Sequence, residues 1–239
     1  MRIAFLSDIH GNATALDAVL QDIKTKQVDK TVVLGDIAYR GPEPKRSIEL
    51  VQQLDATVIK GNADEWIVRG VKQGEVPEQA LELMTKERDW AVAQLEQSEM
   101  DYLANLPTET YFTEQGVNFH GFHATPTSLF ANVLPDAKDE EIESTLMGNN
   151  DADVYLYGHI HKPYIRYING KTIMNLGSVG LPFDGLAKAS YALVDVNDGN
   201  VTTSIQRVDY DLHKTIELYE QVGYPNTEMM QNVIRNGHL

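Results

Sequence analysis

Three times in its first 65 residues the chain runs from a short apolar segment into a polar turn and then into helical periodicity, and this alternation narrows the possible folds more than any other feature. Ile3-Ala4-Phe5-Leu6 stops at Ser7-Asp8, Thr31-Val32-Val33-Leu34 stops at Gly35-Asp36, and Thr57-Val58-Ile59-Lys60 stops at Gly61-Asn62. Apolar runs of this length, bounded by turn residues, read as buried strands. Between them Leu16, Val19, Leu20 and Ile23, then Ile48, Leu50, Val51 and Leu54, recur at helical spacing, with Asn12 or Thr14 placed to cap the first helix. The pattern predicts βαβ units and a largely parallel sheet.

Further along, Pro77 can open a helix that runs to Leu95, within a Glu/Gln/Ala/Leu-rich helical insertion at about 75–105 expected to cover one edge of the core. A strand over 117–122 leads to His123-Ala124-Thr125-Pro126, and a helix is expected from Asp136 to about Leu146. Val154-Tyr155-Leu156-Tyr157 reads as a strand running into Gly158-His159-Ile160-His161. Two hairpins follow: 164–168 and 171–174 flank Asn169-Gly170, and 191–196 and 201–205 flank Asp198-Gly199. They predict an antiparallel second sheet. Helices near 212–222 and 227–235 close the chain, and the absence of repeats or linkers predicts one domain over 1–239.

Cysteine is absent, so disulfides, thiolate nucleophiles and zinc-finger-type sites are excluded, and a metal is expected to be held by oxygen and imidazole. A net charge of −15 opposes binding to a nucleic-acid polymer, although two divalent cations in a cleft would reverse the local field for a small phosphorylated substrate. No apolar run is long enough to cross a bilayer, and the N-terminus turns polar at Ser7-Asp8, too early for a signal peptide. The expected location is cytoplasmic, with no membrane partner and a homo-oligomer left open.

The candidate chemistry sits where the strands stop. Asp8 and His10, Asp36, Asn62, His123, and His159 and His161 each follow directly on a predicted strand. Loops at the carboxyl ends of strands in an α/β sheet converge on one crevice. Five strand ends would thus deliver two carboxylates, one amide oxygen and four imidazoles to one place. Singly, each residue has an ordinary reading as a helix cap, a turn residue or a hydrogen-bonded histidine. Jointly they describe a metal centre.

These blocks resemble the calcineurin-like metallophosphoesterase superfamily, whose pattern is Asp-x-His, Gly-Asp, Gly-Asn-His-Asp/Glu, a later His, and Gly-His-x-His. Asn175-Leu176-Gly177-Ser178-Val179-Gly180 is similar to a segment of its bacterial small-phosphodiesterase branch. Gly35 to Pro42 and the tail Arg207-Val208-Asp209-Tyr210-Asp211 look most like enzymes that cleave dinucleoside polyphosphates such as diadenosine tetraphosphate. The resemblance implies an α/β sandwich of two packed mixed β-sheets with helices on the outer faces. It implies a binuclear centre of two divalent ions, manganese or iron ahead of zinc, cobalt or nickel. Asp8, His10 and His161 would hold one ion, Asn62, His123 and His159 the other, and Asp36 would bridge them. The implied reaction is hydrolysis of a phosphodiester or phosphoanhydride in a small nucleotide-type substrate by a bridging hydroxide. A phosphomonoesterase or protein phosphatase is the alternative within the class, and an interaction protein with weakened catalysis is the alternative outside it.

One departure stands out. Where most of the superfamily has a histidine after Gly-Asn, this chain reads Gly61-Asn62-Ala63-Asp64-Glu65, and the missing residue is the usual general acid. Asp64, Glu65 and His120 are candidates to replace it, with Asp64 and Glu65 equally suited to a helix's first turn. His120 also rivals His123 as ligand. For phosphate binding Arg40 ranks first among Arg40, Arg69, Lys162 and Lys188, although a solvated surface charge is the commoner reading of each. Tyr39, Phe130 and Phe183 are candidate base-stacking residues or simple core packing.

Overall fold

The computed structural model describes residues 1–148 and 151–238. Ten strands form two five-stranded mixed sheets. The first contains β1 (Arg2–Leu6), β2 (Lys30–Val33), β3 (Ala56–Val58), β9 (Ala189–Asn197) and β10 (Asn200–Val208), in the order β10-β9-β1-β2-β3. The second contains β4 (Glu109–Glu114), β5 (Val117–Phe122), β6 (Val154–Tyr157), β7 (Tyr164–Ile168) and β8 (Lys171–Asn175), in the order β4-β5-β6-β8-β7. β1, β2 and β3 run parallel, as do β5, β6 and β8.

Side-chain alternation along the apolar runs explains the layers. Ile3 and Phe5 of β1 point between the sheets with Val32, Leu34, Phe119, Val154 and Leu156. Ala4 and Leu6 point the other way, into the cluster beneath the helices. β1 and β6 are buried on both faces, which is why their sequences are continuously apolar rather than alternating. Phe112 stacks on Phe119 at 5.0 Å between centroids and helps close the inter-sheet layer.

Helices α1 (Ala13–Thr25), α2 (Pro44–Gln52) and α3 (Asn62–Arg69) follow β1, β2 and β3. Asn12 caps α1, its Oδ1 accepting from Ala15 N at 3.0 Å. The insertion forms α4 (Glu78–Val92) and α5 (Gln97–Ala104), whose Ala91 and Leu103 bury into the same cluster as Trp66 and Ile67 of α3. Between β5 and β6 lies α6 (Asp139–Ile142), which continues into a π-helical turn over Glu143–Met147; it starts three residues later than the sequence suggests. α7 (Leu212–Gln221) and α8 (Thr227–Asn236) pack through Ile216, Tyr219, Met230 and Ile234.

The expected antiparallel second sheet is corrected. The two hairpins part company: β9 pairs antiparallel with the free edge of β1, whereas β8 pairs parallel with β6. A hairpin pattern fixes the pairing inside the hairpin and says nothing of which sheet edge receives it. β3 is also shorter than expected, because Lys60 N leaves the ladder and donates to Pro107 O at 2.7 Å.

Candidate metal centre

The carboxyl ends of β1, β2, β3, β5 and β6 meet at one rim of the sandwich. His159 N donates to Asp8 Oδ2 at 3.0 Å, and His123 Nδ1 to Leu34 O at 2.7 Å, so the two sheets are joined at the site itself. Asp8, His10, Asp36, His159 and His161 all adopt positive φ, between 49° and 67°. Such backbone costs about 1–3 kcal/mol per non-glycine residue and persists only where its surroundings enforce it. The glycines make room: a Cβ on Gly61 would strike the Asp36 carboxylate, and one on Gly158 would strike Ser7 and Asp8.

Asp8, His10, Asp36 and His161 are buried and offer donor atoms that all lie within 4.8 Å of one another. His10 Nδ1 donates to Tyr39 O at 2.8 Å, and His161 Nδ1 donates to Leu181 O. Each imidazole therefore turns an Nε2 lone pair inward, and the two Nε2 atoms stand 3.1 Å apart. Neither can donate to the other, so the pair needs a cation or a proton between them. Asp8 Oδ1, 3.1 Å from His161 Nε2, is buried without a hydrogen-bond donor.

A second group adjoins the first. His123 Nδ1 donates to Leu34 O at 2.7 Å and aims Nε2 at Asn62 Oδ1, 2.8 Å away. His159 Nδ1 lies 2.7 Å from the same amide oxygen. Asp36 stands between the groups: Oδ2 is 3.5 Å from His10 Nε2 and Oδ1 is 3.4 Å from His123 Nε2. Backbone carbonyls that fix each tautomer and ring orientation are the usual support of metal-ligating histidines. The nitrogen and oxygen donors, the Asp36 carboxylate between the two groups and the orphaned Asp8 oxygen fit a divalent cation.

The electrostatics agree. Burial alone would raise Asp8, but His161 and His10 facing it hold its carboxyl well below the usual range. Burial likewise opposes ionisation of Asp36, and His123 outweighs it to lower the pKa. Burial would lower His123, yet Asp36 pushes it up to about 9. Burial and the neighbouring His123 push His159 down to about 4.

All seven residues expected as ligands are thus brought together. The candidates for the missing acid fare differently. Asp64 is wholly buried and accepts three backbone N–H groups: Oδ2 from Asp36 at 2.8 Å and Gly61 at 2.9 Å, Oδ1 from Ile37 at 2.9 Å. Burial and the charge of Asp36 raise it to about 6 despite those donors. It clamps the Asp36 loop to α3 and does not border the cavity over the centre. Glu65 pairs with Lys60 and Arg69. His120 lies on the other face of β5 from Phe119, against Tyr111, Phe122 and Tyr155, and donates to Glu109 at 2.8 Å. Neither a ligand nor an acid role at this centre survives for His120, because strand alternation turns it away.

A cavity of about 140 Å³ opens over the centre, bordered by His10, Asp36, Asn62, His159 and His161 and also by Tyr39, Arg40, Trp66, Met84, Leu181 and Phe183. Arg40 reaches it as expected, with Nε 3.3 Å from Glu87 Oε2 of α4. Glu87 is wholly buried and also accepts from Asn226 at 3.1 Å. The insertion therefore does more than cover an edge: through Met84 and Glu87 it walls and braces the site. Arg69 is taken up by Glu65 and Glu75, and Lys188 pairs with Asp209 at 3.0 Å. Lys162 borders a neighbouring groove. Phe183 stacks on His161 at 4.4 Å, whereas Phe130 packs on Trp66. Trp66, Met84, Glu87 and Leu181 have no signal in the sequence beyond ordinary helix or core patterning. Ala63 is fully buried in the cluster that seats α3, and its N–H donates to Asp36 Oδ1 at 2.7 Å. A histidine at position 63 would overpack that cluster.

A model of the calcineurin-like phosphoesterase superfamily domain matches residues 1–199. The chain belongs to this superfamily. It is 30% identical over 236 residues to an uncharacterized protein of Methanocaldococcus jannaschii, the match covering 90% of each chain. Among solved structures it is similar to a metallophosphoesterase from Sphaerobacter thermophilus, with 27% identity, a TM-score of 0.80 and 99% of both chains covered. A hypothetical protein from Pyrococcus horikoshii shares the fold at a TM-score of 0.85 and 22% identity, covering 99% of this chain and 98% of its own. The two mixed sheets with outer helices are the metallophosphoesterase sandwich, and α7 and α8 lie beyond the matched span. Among the described residues no helix is long and apolar enough to cross a membrane.

Proposed function

We propose that this metallophosphoesterase hydrolyses phosphoanhydride or activated phosphodiester bonds of a small nucleotide-type substrate, with dinucleoside polyphosphates favoured, at a two-ion centre bridged by Asp36. The carrying observation is the Asp36 carboxylate, which turns one oxygen toward His10 and the other toward His123. When bound, two divalent ions acidify the water that attacks phosphorus and offset charge on the phosphoryl oxygens. The chain's own part is positional. His10, His123 and His161 are held as inward lone-pair donors, Asp64 fixes the Asp36 loop, and Arg40 brings a cation to the cavity wall.

The cavity supports a substrate with a good leaving group. Apart from the five ligand residues that line it, its wall is Tyr39, Arg40, Trp66, Met84, Leu181 and Phe183, none of them a carboxylic acid or imidazole. Tyr39 is committed as a donor to Met84 O at 2.9 Å. An alkyl ester would expel an alkoxide that needs a proton, whereas an anhydride expels a phosphate with a pKa of about 6. At about 140 Å³ the cavity is smaller than the roughly 300–1,000 Å³ typical of small-molecule sites, so a nucleotide-type substrate would extend beyond it.

The test strips metal with a chelator, reloads manganese, and compares a dinucleoside polyphosphate, an aryl phosphodiester and an alkyl phosphate. Activity that returns with metal and favours the first two is expected. Equal turnover of the alkyl phosphate would overturn the leaving-group reading, and full activity in metal-free protein would overturn the mechanism.

A further inference from the structure

Next to the small cavity lies a groove of about 410 Å³, and His159 and Phe183 border both. Its size falls within the range of small-molecule sites, about 300–1,000 Å³, whereas the cavity over the centre does not. Its walls combine Ile160 and the exposed Leu134 with Asn132, Lys162 and His238, and no aspartate or glutamate lines it. In a chain of net charge −15, a groove lined by a lysine and no acid is better suited to an anion than most of the surface. Lys162 directly follows His161 on the loop leaving β6 and makes no ion pair among the described residues. Arg69, Lys188 and Arg40, the other cations singled out near the motifs, are all paired with carboxylates.

We infer that Lys162 reads a second phosphate, adjacent to the one attacked, and that the groove holds the organic group this phosphate carries. The inference rests on the proposed phosphoesterase function and names the residue and the groove by which this site would select a phosphoanhydride over a phosphodiester. The reasoning is spatial. The cavity over the centre is below the size of a small-molecule site, and the groove that adjoins it across His159 and Phe183, the residues common to both spaces, is of the size to take the remainder. An anhydride places its next phosphate at that threshold, where Lys162 is the cation. One face of Phe183 is stacked on His161, so the ring divides the two spaces and is pinned in place.

The test measures binding rather than turnover, by calorimetry on manganese-loaded protein, with methylphosphonate as a one-phosphate probe and methylenediphosphonate as a non-hydrolysable two-phosphate probe. The wild type should prefer the diphosphonate by about 10-fold or more, the size of one charge-assisted contact. Lys162→Gln should abolish most of that preference while shifting methylphosphonate less than twofold, and Lys162→Arg should restore it. Metal content and thermal midpoint, measured on each variant, check that His161 and the fold are intact. A diphosphonate preference unchanged in Lys162→Gln, or no preference in the wild type, overturns the groove assignment alone. If neither phosphonate binds the wild type, the phosphoesterase reading fails and takes this inference with it.

Discussion

The two halves of the centre face each other across Asp36 but are built differently. Asp8, His10 and His161 combine a private carboxylate with two imidazoles, and all three residues have positive φ. Asn62, His123 and His159 have no carboxylate of their own; their oxygen ligand is a neutral amide, and only His159 is at positive φ. The first half can draw on two negative charges, Asp8 and Asp36, and the second only on the shared one. Affinity for a hard divalent cation rises with the charge of its ligands. The first half should therefore be the tighter site, and the second should depend on Asp36 for its charge.

Substituting the shared residue should give the largest effect. Asp36→Asn keeps an acceptor for Ala63 N but removes the only charge of the second half; phosphoesterase activity should fall by about 100-fold or more, with less than two ions per chain by elemental analysis. Wild-type turnover with both ions retained would remove Asp36 from the bridge. Next come substitutions that strike one half. In a manganese titration Asp8→Asn should weaken the tighter binding step, whereas Asn62→Ala should remove the weaker step and leave the tighter one. The opposite order would invert the comparison.

A smaller effect is expected behind the centre. Asp64→Ala leaves three buried N–H groups without an acceptor, at about 1–3 kcal/mol each. Urea unfolding should show a loss of about 3 kcal/mol or more, and an unchanged midpoint would mean water replaces the clamp. The smallest is a control: Lys188→Ala breaks an exposed pair with Asp209 and should change stability by less than about 1 kcal/mol, with activity retained.

Much of this arrangement was legible in the sequence because the donors follow buried strands, and a buried strand announces itself locally. Ser7-Asp8 after Ile3–Leu6 and Gly158-His159 after Val154–Tyr157 could be placed without knowing the sheet order. What escaped depends on contacts distant in the chain. β4 alternates exposed and half-buried residues at a sheet edge, so Glu109–Glu114 carries no apolar run. His120 and His123 look interchangeable until the pleat of β5 sends one to each side. Asp64 resembles a helix-capping acid, which it is; its hold on Asp36 and Ile37 spans 28 and 27 residues. The bracing of Arg40 by Glu87 joins a strand-end loop to an insertion helix, and no local pattern encodes that meeting.

The central claim is a pair of cation sites bridged by Asp36, and anomalous X-ray diffraction from manganese-loaded crystals tests it most directly. The account predicts two anomalous peaks about 3.5–4 Å apart, one among Asp8, His10 and His161 and the other among Asn62, His123 and His159, with an Asp36 oxygen on each. A single peak at saturating manganese, or two peaks that do not flank Asp36, would contradict it.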